Sequence, residues 1–119
     1  MGIISPHPIC IYRRDIMQAV FIKFTDEKGN EVKKYSTCSL KTGTMDNIFD
    51  IAERAEKLEK ENMGISEVKT FYNDLKATIL AVFHYQFSLE QLNEGVEQEE
   101  LMKVFKDICS NISGELRKN

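Results

Sequence analysis

The residues best equipped for chemistry in this chain are two histidines, three cysteines and a surplus of carboxylates. Their spacing decides what they could do. A histidine serves as a general base only within reach of a reacting proton and with a further group to orient its ring. His84 stands between Phe83 and Tyr85 at the end of an apolar stretch, without a serine or cysteine in a nucleophile context, and reads as a partly buried structural or interface residue. His7 lies between Pro6 and Pro8 and has no evident partner. Cys10, Cys38 and Cys109 are widely separated and form no Cys-x-x-Cys pair, which removes the support for a zinc ribbon or a redox dithiol. An odd cysteine count without a signal peptide suits free thiols in a reducing cytoplasm, and Cys109 falls where a small buried hydrophobe is expected. No His-x-x-x-His or EF-hand spacing offers a metal site. Lys41-Thr42-Gly43-Thr44 lacks the upstream glycines of a phosphate loop. The expectation is a non-enzyme, with no catalytic residue, no metal ligands and no cofactor.

That leaves binding surfaces. A net charge of −3 with small, isolated basic clusters argues against a nucleic-acid partner. The longest uncharged runs, Met1–Tyr12 and Ala77–Leu89, are too short to cross a bilayer, so no membrane partner is expected and the chain reads as a cytoplasmic protein. Aromatic residues gather at Phe71, Tyr72, Phe83, Tyr85 and Phe87. A helical core of this size needs most of them. Tyr85 and Phe87 fall at a helix junction, where side chains are partly exposed and aromatics favour protein contacts, so these two are the candidate partner-binding residues.

The elements that must position them follow from hydrophobic period. At 119 residues the chain is one domain. Residues 1–18 form an arm in which Pro6 and Pro8 forbid a helix and suit an extended or edge strand. Residues 19–40 read as a β-hairpin: Val20, Ile22 and Phe24 alternate with Lys23 and Thr25, Gly29 sits in a polar turn, and the returning strand slips in register near Lys33-Lys34. A lone hairpin is marginal in water, so it must pack on helices, on the arm or on another subunit. Residues 44–114 switch to helical period. Thr44 caps a helix with Met45, Ile48, Phe49, Ala52, Ala55 and Leu58 on one face and the pairs Asp50/Arg54, Glu53/Lys57 and Glu56/Lys60 on the other. Gly64 ends it and Ser66 starts the next, whose stripe of Val68, Phe71, Leu75, Ile79 and Val82 marks the central helix. A last helix opens with Glu97, Glu99 and Glu100, continues through Leu101, Phe105 and Ile108, and stops at Gly114, leaving residues 115–119 as a polar tail. The class is α+β, an N-terminal β-hairpin followed by a small bundle of three main helices plus one short helix.

The short helix carries the most specific signal. In Val82-Phe83-His84-Tyr85-Gln86-Phe87-Ser88-Leu89-Glu90-Gln91-Leu92-Asn93-Glu94-Gly95-Val96, Ser88 and Gln91 form a capping box, Phe87 precedes it as a staple toward Leu92, and Gly95 offers a left-handed stop. The pattern Phe-x-x-Gln-Phe-(Ser/Thr)-x-x-(Glu/Gln)-Leu-x-x-Gly-(Val/Leu), between a long apolar helix and an acidic one, resembles the tail assembly chaperones of long-tailed phages of Gram-positive hosts. The likeness covers the last eighty or so residues and fits the hairpin before them. The family pattern often has a glycine where this chain has His84. What the resemblance implies is a non-enzymatic cytoplasmic assembly factor that coats the tape measure protein, assists tail tube polymerisation and is absent from the finished virion. Its partners would be the tape measure protein, the tail tube protein and further copies of itself. A small adaptor or regulator unrelated to phage tails is the alternative that the residues alone leave open.

Overall fold

The computed structural model describes the backbone of residues 18–117 and the side chains of residues 18–112. The expected N-terminal arm, apart from Gln18, falls outside the described residues. The elements are β1 (Val20–Thr25), β2 (Glu31–Thr37), α1 (Thr42–Lys60), α2 (Ile65–Val82), α3 (Leu89–Gly95) and α4 (Gln98–Arg117). This is the α+β class read from the change of hydrophobic period: an antiparallel hairpin, then three long helices and a short one.

The hairpin turn is built by Asp26, whose carboxylate accepts from the N–H groups of Lys28 and Asn30, each at 2.9 Å. Gly29 takes φ +87°, the left-handed value that only glycine adopts cheaply. In β1, Val20, Ile22 and Phe24 point into the core, while Phe21 and Lys23 point away. The register slips between Phe24 and Thr25, which leaves Val32 as the extra residue of β2, just before the Lys33-Lys34 pair. α4 guards the outer edge of β1: Lys23 N–H donates to Glu100 Oε2 at 2.9 Å and Gln18 N–H to Asn111 Oδ1 at 3.2 Å. An otherwise open row of donors is thereby occupied.

Helix boundaries depart from the sequence reading in four places. α1 begins at Thr42, two residues before the expected Thr44 cap, and Lys41 precedes it without a capping side chain. Gly64 does not close α1; it stands before α2, and Glu67 Oε1 reaches back to accept from its N–H at 3.3 Å, so the start of α2 is held by Glu67 where Ser66 had been expected to cap. α4 runs through Gly114 to Arg117, because a single glycine in a helix costs about 1 kcal/mol and does not forbid continuation. The fourth concerns Gly95. It ends α3 without a positive φ, and the following cap residue, Val96, is extended. Glycine is required there for another reason: a Cβ at this position would lie 2.5 Å from Phe24 Cδ2. α3 comes so close to β1 that only a residue without a side chain fits.

On the α1 surface the expected ladder of ion pairs is mostly replaced by one crossing contact. Arg54 Nη1 lies 3.4 Å from Asp50 but 2.8 Å from Asp74 on α2, and no contact at ion-pair distance joins Glu53 to Lys57 or Glu56 to Lys60 among the described residues. Asp74, foremost, pushes the Arg54 pKa further up and keeps the guanidinium charged. Both carboxylates are exposed, so the pair registers α1 on α2 more than it stabilises the fold.

The core joins all six elements. Phe71, Leu75, Ile79 and Val82 of α2 are buried with Leu101, Phe105 and Ile108 of α4, as the helical stripes predict, and Val20, Ile22, Phe24, Ile48, Ile51, Phe83, Phe87, Leu92, Val104 and Ile112 complete the cluster. Leu75→Ala should therefore destabilise the chain by about 2–5 kcal/mol in denaturant unfolding; a loss under about 0.5 kcal/mol would mean that this position can collapse freely. Gly95→Ala should also destabilise, by about 1–3 kcal/mol, because the Phe24 ring would have to shift. A helix-propensity effect alone would move the denaturation midpoint the other way.

Candidate functional site

The segment from Val82 to Ser88 turns the chain from α2 into α3 and sets Tyr85 and Phe87 in opposite environments. Phe83 caps α2; His84 N–H then donates to Ala81 O at 3.0 Å and Tyr85 N–H to Leu80 O at 2.9 Å. These two bonds are the paired closure that a left-handed residue allows at a helix end. Glycine usually takes that position. Here His84 does, at φ 55°, and Tyr85 follows at φ 56°. Two successive left-handed residues with side chains cost on the order of 1 kcal/mol each, so the surroundings must hold them.

The holding groups come from the end of β2. Thr37 Oγ1, buried, donates to Val82 O at 2.8 Å and satisfies a carbonyl that the end of α2 leaves open. His84 Nε2 lies 3.1 Å from Ser39 O and 3.3 Å from Ser39 Oγ. Gln86 Nε2 donates to Ser36 O at 2.8 Å. His84 is thus an exposed tie between the loop after β2 and the junction, where sequence had suggested a partly buried side chain. It ties the two elements together, and among the described residues the ring's partner is Ser39.

Downstream, the capping box forms as its spacing predicts: Gln91 N–H donates to Ser88 Oγ at 3.1 Å and Ser88 N–H to Gln91 Oε1 at 2.8 Å. Phe87 is 4% exposed, with ring centroids of Phe24 and Tyr35 at 5.0 Å and Phe83 at 5.7 Å. Tyr85, two residues away, is 71% exposed. The junction therefore brings the two candidates to the same turn but not to the same surface. Phe87 belongs to an aromatic platform under the turn, and Tyr85 projects from it.

Sequence reasoning missed the partners of this turn, since Thr37, Ser39 and Ser36 are distant in sequence and carry no motif. It also missed a cleft of about 280 Å³ where α2, α3 and α4 meet, lined by Tyr72, Leu92, Val96 and Leu101 among others. Gln98 Nε2 donates to Tyr72 Oη at 3.1 Å and Lys76 Nζ to Asn93 Oδ1 at 3.0 Å across it. Among the described residues no group of three metal-ligating side chains converges. No helix among them is long and apolar enough to cross a membrane. Cys109 is a free, half-buried thiol whose pKa burial pushes up.

The strain at the turn is testable. Tyr85→Gly removes a left-handed side chain that makes no polar tie and should raise stability by about 0.5–1 kcal/mol in thermal melts. His84→Ala keeps the strain, loses the contact to Ser39, and should lower stability by about 0.5–1.5 kcal/mol. Equal effects from the two variants would refute the distinct roles given to them.

The chain has no match among curated proteins and none among solved structures. A family model described as phage tail chaperone protein matches residues 17–118, which takes in the hairpin, every helix and the whole junction. The chain therefore belongs to the phage tail chaperone family.

Proposed function

We propose that this tail assembly chaperone coats the tape measure protein, assists tail tube polymerisation and is absent from the mature virion. It works in the bacterial host cytoplasm, without enzymatic activity, through contact with the tape measure and tail tube proteins and with further copies of itself. The observation that carries this reading is Tyr85: a large amphipathic ring, 71% exposed, on a backbone turn that costs free energy to hold there. Phe87, beneath it, would contribute through the platform that keeps the turn rigid, and a rigid mount lowers the entropy lost on binding. Shielding an apolar filament needs many modest contacts and no bond chemistry, and avidity along the client can replace individual affinity.

The test is capture of the tape measure protein by folded variants. Tyr85→Ser should weaken pull-down by about tenfold or more if the ring is an anchor, with a circular dichroism spectrum unchanged from the parent chain. At dilutions where the chain is monomeric, capture should survive moderate salt, because apolar contact is not screened. Unchanged capture by Tyr85→Ser would remove that residue from the interface. Capture that collapses in salt would move the interface to the charged stretch Asp46–Glu61.

A further inference from the structure

We propose that the open face of the hairpin in one copy docks on the α2–α3–α4 cleft of a second copy. This rests on the reading above that the chain acts as a multimer, and it names the two surfaces that meet. The hairpin has one face in the core and the other largely exposed. On the exposed face stand Phe21, 51% exposed, Lys23, and the cross-strand residues Lys34 and Ser36, with Val32 at the bulge also exposed. Lys34 Nζ lies 5.7 Å from the centre of the Phe21 ring. The result is an aromatic knob among cations.

Lys23 and Lys34 sit directly opposite each other in the register. Like charges at that spacing destabilise a strand pair unless something acidic approaches. Among the described residues the ion pairs use Arg54 and Lys103, not these lysines. Glu100 is engaged at the β1 edge by the Lys23 N–H. A carboxylate-bearing partner would relieve what the free chain leaves unbalanced.

The cleft and the glutamates that flank its lining residues in the sequence supply that partner's features. Its apolar floor of Leu92, Val96 and Leu101 has room for an aromatic ring in about 280 Å³. From Leu89 to Leu101 the chain carries five glutamates and no lysine or arginine, and Glu94, Glu97 and Glu99 are exposed. Lys76 is the one cation in the cleft lining, and Asn93 already engages it. The asymmetry extends to the whole chain: residues 18–41 carry a net charge of +2 and residues 42–117 a net charge of −7. Within one molecule the knob cannot fill the cleft, because the opposite face of β1 is the one packed toward α3, with Phe24 against Gly95. Two different patches meeting in this way make a head-to-tail contact, which propagates into rings or open spirals rather than a closed two-fold dimer.

Sedimentation velocity of the purified full chain tests this. The wild-type chain should gain mass with concentration, and the gain should weaken as salt rises, since it is steered by charge. Phe21→Ser should weaken association by about tenfold or more, and so should Asn93→Trp, which fills the cleft from an exposed position. Mixing these two variants should give a one-to-one complex and nothing larger, because one keeps an intact cleft and the other an intact knob. Lys34→Glu mixed with Glu97→Lys should likewise associate better than either alone. Circular dichroism confirms that each variant is folded, and the charge pair decides the matter should Asn93→Trp lose its fold. A wild-type chain that stays monomeric at low salt, folded variants that associate normally, or mixtures that fail to pair would each overturn the proposal. Tape measure capture by the same variants, measured at dilutions where the chain is monomeric, reads the proposed chaperone role separately.

Discussion

Closure of α2 is the constraint on which the rest of the structure depends. A two-stranded hairpin cannot stand by itself in water, and here the end of β2 is fastened to the end of the central helix by Thr37 on Val82, His84 on Ser39 and Gln86 on Ser36. Each such bond contributes only about 0.5–1.5 kcal/mol net. The Thr37 bond matters beyond that figure because it is buried, so its loss would strand a helix carbonyl. The left-handed pair at His84 and Tyr85 aims Gln86 at the strand and drops Phe87 between Phe24, Tyr35 and Phe83. Aromatic contacts at these distances add about 0.5–1.5 kcal/mol each beyond the area they bury. Hairpin, central helix and short helix are thus locked at one point.

Strain at that point is affordable because both sides of the turn are over-determined. Upstream, the α2 ladder ends with its carbonyls satisfied; downstream, Ser88 and Gln91 exchange hydrogen bonds and start α3 at once. The short helix then has no freedom in where it lies, and Gly95 brings it against the Phe24 ring. The Cys109 thiol is half-buried and made less acidic by that burial, and Arg54 registers α1 on α2 through Asp74.

What the sequence made legible was whatever repeats locally. The stripe from Phe71 to Val82, the alternation of Val20, Ile22 and Phe24, the Asp26–Asn30 turn and the Ser88–Gln91 box each depend on neighbours a few residues apart. Glycine was misread where its reason was tertiary: Gly95 looked like a left-handed stop, yet it is a steric allowance for a ring some seventy residues away in sequence. The different exposures of Tyr85 and Phe87 were illegible for the same kind of reason. They are set by a backbone reversal whose supports, Ser36, Thr37 and Ser39, lie in another element, and a histidine in place of the usual glycine conceals that the left-handed turn is kept.

The way the sheet is terminated limits what kind of contact the hairpin can make. At β1 the outward N–H of Lys23 is taken by Glu100 and that of Gln18, just before the strand, by Asn111, while on β2 the Ser36 carbonyl is taken by Gln86 and the bulge at Val32 interrupts the ladder. Blocked and bent edges resist strand addition, which would give a long, backbone-bonded and slowly reversible assembly. The face remains, and a face offers side chains only. Contacts through one aromatic ring and a few solvated charges are individually weak and respond to salt, so a multimer built from them holds through number and comes apart when its template is withdrawn. A hairpin guarded at its edges and open on its face therefore suits the proposed role, in which copies cover a filament and later leave it.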